Sequence, residues 1–244
     1  MFARFPPAAL RALRTFRAAD RTAPTEPIAP LERGLWVLLA LASMLIVAVV
    51  LHGDPRWVDP LVSEEGPLEG AAALAWLLLA PLVLWRGGRS LPAVSLALVC
   101  AVFGARELDL HKIVGGTSFL KTNFYRGDAV ALQDKLIGGA LALAVLAVVC
   151  YGLVVNVRAF LRRRAWRTSW GRIVVLAAAL LVLSKLLDRT PAVLKDEWHA
   201  PLGWTASHLV TVHEEWLEAF VPIALAAAAL RFRRRETPAR RPSA

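Results

Sequence analysis

Cysteine is nearly absent: Cys100 and Cys150 are the only two in 244 residues, and both sit inside apolar runs. No zinc-knuckle or CxxC spacing follows from them, and no disulfide scaffold. Lysine is scarce as well, 5 residues against 24 arginines. Several long stretches carry no formal charge at all. No small-x-small cleavage site follows the first apolar run, so the N-terminus does not read as a cleavable signal. What remains is apolar: 57% of the residues are hydrophobic and the mean hydropathy is +0.52. A soluble domain runs nearer 45–50% apolar. The excess lies in long uncharged runs, which excludes a disordered chain or a secreted globular domain and indicates a membrane protein.

The net charge of +10 is a topology signal. The arginines fall in short clusters between apolar runs, and no aromatic-basic recognition module accompanies them, so nucleic acid is not the expected partner. Six candidate spans can be drawn: 34–53, about 68–85, a third from about 91 to 105, 136–157, a fifth starting at 173 and a sixth ending at 230. The expected fold is therefore all-α, a polytopic six-helix membrane bundle over 34–230. A basic N-terminal segment (1–33) and a basic tail (231–244) flank it. With the N-terminus in the cytoplasm, the inner segments hold 20 Lys and Arg against 4 Asp and Glu, and the outer ones 9 against 15. That bias predicts both termini inside. Little Lys with much Arg, Ala and Leu suits a GC-rich bacterial genome, hence a bacterial inner membrane. Residues 7–20 can form an amphipathic helix on the cytoplasmic leaflet or a loosely ordered tail. The inner 158–172 segment, with six Arg and Phe160, Trp166 and Trp170, is expected to lie on anionic lipid.

Four spans are too short. A crossing needs about 20 residues, yet 173–184 and 219–230 offer 12 each between charges, and 70–85 and 90–105 offer 16 each. Ionisable groups are thus drawn into the outer ends of four helices, where charge is costly unless it faces the bundle interior or water. The expected outcome is an outward-facing polar pocket lined by Glu65, Glu69, Arg106, Glu107, Asp109, His111, Lys185, Asp188, His213, Glu214, Glu215 and Glu218. Glu65 and Glu69, Glu107 and His111, and Glu214 and Glu218 are i,i+4. Arg106 and Asp109, and Lys185 and Asp188, are i,i+3, so each pair shares a face if its segment is helical.

Carboxylates and imidazoles on facing helices can hold a divalent metal, and Glu107, His111, Glu214 and Glu218 are the expected ligands. No HExxH or HxxxH occurs. A ceramidase-like zinc hydrolase would need His111, His208 and His213 gathered by loops. The leading expectation is a cation or metal site, acting on a lipid-linked substrate if it is catalytic. The alternatives are an accessory protein whose charged pairs lock helices, with Glu65, Glu69, Glu214 and Glu215 as helix caps, and a proton- or cation-coupled carrier. The 113–134 loop, with Phe119 to Arg126, reads as an interfacial segment or lid. Pro81 and Pro222 can bend two comparable helices around the site.

The run Glu64-Glu65-Gly66-Pro67-Leu68-Glu69 and the helix end Arg106-Glu107-Leu108-Asp109-Leu110-His111-Lys112 resemble uncharacterised bacterial polytopic inner-membrane proteins with E-[DE]-G-x-x-E and R-E-x-D-x-H-K motifs. The resemblance covers about residues 63–126. It implies a membrane location and carries no established activity.

Overall fold

The computed structural model describes residues 29–54, 56, 58, 66–126 and 130–232. The surface-helix expectation for 7–20, Glu65, and most of the basic tail lie outside them. Among the described residues the chain is all-helical, with no strand. Six long helices follow in order: α1 (Pro30–His52), α2 (Pro67–Gly87), α3 (Leu91–Glu107), α4 (Leu132–Arg162), α5 (Ser169–Asp196) and α6 (Trp204–Arg231). α1, α2, α4 and α5 are long and apolar enough to cross a membrane, which is the build of an integral membrane protein. α3 has 17 residues, and α6 has 28 but carries Glu214, Glu215 and Glu218 along its length.

Local sequence explains the boundaries. Proline in the first turn starts α1, α2 and α3, where its missing N–H costs nothing. Thr168 caps α5, its hydroxyl accepting from the Gly171 N–H at 3.2 Å. α3 stops at Glu107, and Asp109 then takes a left-handed conformation (φ 54°). Pro81 and Pro222 lie inside continuous helices.

α6 is the central element. It packs on α1, α2 and α5, while α3 packs on α2 and α4 on α3. Phe220, Ala224, Ala227 and Ala228 of α6 are buried against Leu79 and Val83 of α2 and Ile173, Leu176 and Leu180 of α5. Small residues let backbones approach, which drives helix association where lipid removes the hydrophobic gain. Gly152 makes the α3–α4 crossing possible: a Cβ there would lie 2.5 Å from the Val99 side chain. Beside it the Asn156 amide donates to Ser95 Oγ at 3.2 Å. The described parts of α1 and α4 are the least buried of the four apolar helices.

The two ends of the bundle differ. At the basic end, arginines join helix termini. Arg86 of α2 donates to the carbonyls of Ala229, Leu230 and Phe232 at 3.2, 2.7 and 3.0 Å, which satisfies the orphan acceptors that close α6. Arg172 of α5 grips Glu32 of α1 with two bonds of 2.9 Å. Arg231 reaches Ser169 Oγ at 3.2 Å. The expected lipid-lying segment 158–172 is smaller than its sequence span. α4 runs to Arg162 and α5 starts at Ser169, leaving a tight turn (Ala165–Arg167) whose Trp166 ring packs 6.3 Å from that of Phe160 of α4. Arg172 is not left to lipid, because Glu32 is within reach.

At the opposite, acidic end the 113–126 segment folds back on α4. Phe119 and Phe124 are buried, and a Cβ on Gly138 would lie 2.9 and 2.8 Å from their side chains. Tyr125 donates to the Phe119 carbonyl at 2.6 Å.

Candidate functional site

The charged groups of the acidic end are carried by unbroken helices. α5 continues through Lys185, Asp188 and Pro191 to Asp196, and α6 begins at Trp204, so His213-Glu214-Glu215-Trp216-Leu217-Glu218 is mid-helix. Eight of the expected residues are linked by pairwise charge interactions: Glu69 of α2, Arg106 and Glu107 of α3, Lys185 and Asp188 of α5, and Glu214, Glu215 and Glu218 of α6, with Arg106 (beside Glu107) and Asp188 (beside Glu214) exposed at the edges. Six are carboxylates and two are bases.

At the centre of this cluster Lys185 forms an ion pair with Glu218. Ser184, fully buried, shares its one hydroxyl proton between the Leu181 carbonyl at 3.0 Å and Glu218 Oε1 at 3.3 Å. The expected Lys185–Asp188 lock is therefore replaced by a cross-helix pair. α5 packs along α6, so a long Lys stem reaches Glu218 there, while Asp188 lies 3.9 Å from Arg189. Ser184 was not expected. Its only signal in the sequence is a hydroxyl in an apolar run, one residue before the run's first cation.

Two more expected pairs are not formed. α3 ends at Glu107, so His111 falls in the separate turn Leu110–Lys112 and no i,i+4 face joins it to Glu107. For the same reason Arg106 and Asp109 do not share a helical face. Asp109 instead binds Lys112 at 2.7 Å, with His111 Nε2 at 3.7 Å. Among the described residues His111 Nδ1 is buried without a well-formed hydrogen bond, though the Arg106 backbone lies near the ring. Burial lowers the His111 pKa, helped by the Lys112 and Arg106 charges and opposed by Asp109. Among the described residues, no three His, Cys, Asp or Glu side chains gather to hold a metal ion. The set Glu107, His111, Glu214 and Glu218 is thus not assembled, because the left-handed turn at Asp109 removes His111 from α3. His208 stacks on Trp204, ring centroids 4.2 Å apart, and is likewise not part of a histidine cluster.

His213 lies on a different face of α6. It borders an apolar cleft of about 460 Å³ between α1, α5 and α6, with Leu39, Ser43, Leu183, Leu187 and Val210. Its Nδ1 lies 2.8 Å from the Leu209 carbonyl. A carbonyl only accepts, so Nδ1 carries a proton in this contact. The cleft was not foreseen from the sequence, since its wall residues read as ordinary lipid-facing leucines.

No protein-family model, no curated protein and no solved structure matches this chain.

Proposed function

We propose that the chain is a six-span protein of a bacterial inner membrane, with both termini cytoplasmic, whose acidic end faces outward and binds a cation. The distribution of charge supports the topology: the basic end, with its arginine clusters, belongs on the cytoplasmic side. α3 and α6 complete six crossings because their charged groups meet inside the bundle rather than in lipid. Arginines of the basic end not used to join helices, Arg162 and Arg163 among them, contact anionic lipid in this reading.

One observation carries the cation reading. Carboxylates from α2, α3 and α6 gather around Lys185 of α5, the one base that acts on Glu107, Glu214 and Glu215 together. A region of low dielectric holds such an excess only with counter-charge, either protons or a bound cation. With no metal cage among the described residues, a proton or a cation of the ammonium type suits the cluster better than a tightly coordinated metal. The Lys185–Glu218–Ser184 linkage favours one other reading, an accessory protein whose cross-helix ion pair locks α5 to α6.

The test is calorimetric titration of the whole protein in nanodiscs with ethylammonium, magnesium, calcium and zinc chlorides, with proton uptake followed alongside. Saturable binding or uptake that weakens about tenfold in Glu215→Gln supports the site. A wild-type protein that takes up neither protons nor any of these cations is an accessory protein. Labelling of single cysteines at the bundle ends, from each side of the membrane, tests the orientation.

A further inference from the structure

We infer that the segment from Leu108 to Arg126 is a wedge seated in phospholipid. It occupies the boundary between headgroups and acyl chains beside the acidic end of the bundle, held at that depth by Phe119 and Phe124 docked on α4. The inference needs only that α4 crosses the membrane, and it is independent of the proposed orientation and of the cation site.

α4 sets the depth. Its run 136–157 carries no formal charge. At about 1.5 Å per residue the run is about 33 Å long, which matches a hydrocarbon core of about 30 Å. Asp134 and Lys135 precede it. Gly138 is about 3 Å along the run, just inside the hydrocarbon edge. Phe119 and Phe124 are buried, and a Cβ on Gly138 would lie 2.9 and 2.8 Å from their side chains. A Cβ on the neighbouring Gly139 would lie 3.8 Å from the Tyr125 ring. Two adjacent glycines thus form the seat. Gly115 and Gly116, at φ 67° and 69°, reverse the chain between His111 and Phe119.

The backbone of the segment suits that level. The Phe119 N–H donates back to the His111 carbonyl at 3.1 Å, and those of Ile113, Lys121, Phe124 and Tyr125 also find carbonyls within the segment. The Leu120 N–H donates to Ser118 Oγ at 3.3 Å. Irregular backbone is tolerated at membrane depth only when its polar groups are satisfied in this way.

The side chains left outside are apolar and basic. Ile113 is 72% exposed and Leu120 45%, and Leu108 and Leu110 are exposed too. Lys112, Lys121 and Arg126 stand against Asp109 alone, three bases to one acid, at an end that is otherwise acidic. Apolar side chains interspersed with bases complement acyl chains below and phosphates above. A second copy docked through the same segment about a two-fold axis would set like charge against like.

The experiment places single nitroxide labels on the full protein in nanodiscs of phosphatidylethanolamine and phosphatidylglycerol, in a Cys100→Ala, Cys150→Ala background. Collisions with oxygen, which partitions into hydrocarbon, are compared with those of a water-soluble nickel chelate. The expected oxygen-to-nickel ratios at Ile113→Cys and Leu120→Cys are several-fold above that of free nitroxide in buffer and close to that of Leu136→Cys on α4. Ratios equal to the buffer value overturn the inference. So does protection from both reagents: with dipolar broadening between labels the cover is a second copy, and without it another part of this chain. Phe124→Ala should lower the Ile113→Cys ratio toward the buffer value. Gly138→Leu, which fills the seat from the α4 side, should do the same if Phe124→Ala does not fold. A ratio unchanged in folded forms of these variants overturns docking on α4 as what sets the depth. Cation titration of the same preparation is unaffected by any of these outcomes, so a failed wedge leaves the cation reading standing.

Discussion

Lys185→Met should destabilise the bundle more than Glu218→Gln, and Asp188→Asn should do almost nothing. Glu218 is 12% exposed and Lys185 40%. Removing one member of a fully buried pair costs about 3–5 kcal/mol, because it strands the other charge. Lys185→Met strands the better-buried member. Glu218 keeps the Ser184 hydroxyl as a donor, so about 2–3 kcal/mol is expected. Glu218→Gln strands a lysine more than a third exposed, whose stem can carry the ammonium outward. Screening and snorkelling discount that loss to about 1 kcal/mol. Asp188, 45% exposed and 3.9 Å from Arg189, should cost under about 0.5 kcal/mol. Lys185→Met with Glu218→Leu removes both charges and should recover most of the single loss.

The assay is equilibrium unfolding in mixed micelles, followed by circular dichroism, with the three single variants and the double variant run together. An Asp188→Asn loss as large as that of Lys185→Met would refute the cross-helix pairing and restore the i,i+3 pair. A double variant no better than Lys185→Met alone would show that the two side chains do not act on each other.

Three further outcomes are expected. Arg86→Met should cost about 1–3 kcal/mol by removing the donor to three carbonyls at the end of α6, with faster hydrogen exchange confined to the last turn of α6. Gly152→Ala should cost about 1–3 kcal/mol through overpacking against Val99, whereas Gly70→Ala, whose new Cβ meets open space, should gain up to about 1 kcal/mol from helix propensity. Because burial depresses the His111 pKa in the fold, its unfolded state binds the proton more readily. The His111 contribution is then fully present above the unfolded value of about 6.5 and is lost as pH falls below it toward the folded pKa. Thermal unfolding across that window should show a slope in the wild type that flattens in His111→Gln.

The parts of this fold that could be read from sequence are those decided by one segment alone. The uncharged runs at 34–53 and 136–157 become α1 and α4, because nothing in them competes with a lipid-facing helix. The charged ends of the other four runs were also legible, as a shortage of apolar residues. What spacing could not supply is the partner across a helix interface. Lys185-x-x-Asp188 offers a neighbour on the same helix, but the packing of α5 on α6 brings Glu218 closer, and no local pattern encodes that packing. Glu32 and Arg172 are 140 residues apart; the hint was one acidic residue among inner arginines. The end of α3 was hidden for another reason. Asp tolerates the left-handed region that usually marks a glycine, so Arg-Glu-Leu-Asp-Leu-His-Lys reads as continuing helix.

The start of α6 bears on the reading of the acidic residues as helix caps. A carboxylate is stabilised by a helix N-terminus only within about the first turn. Glu69 satisfies that condition, since α2 begins at Pro67. Glu214, Glu215 and Glu218 do not: α6 begins at Trp204, so Glu214 is ten residues into the helix, almost three turns at 3.6 residues each. Their backbone N–H groups are already committed to the helix, and the macrodipole offers them nothing. Capping thus accounts for Glu69, and the ion pair with Lys185 accounts for Glu218. Glu214 and Glu215 are explained by neither, on a helix that would bury better with leucine in their place. Those two are the carboxylates on which the proposed cation site rests.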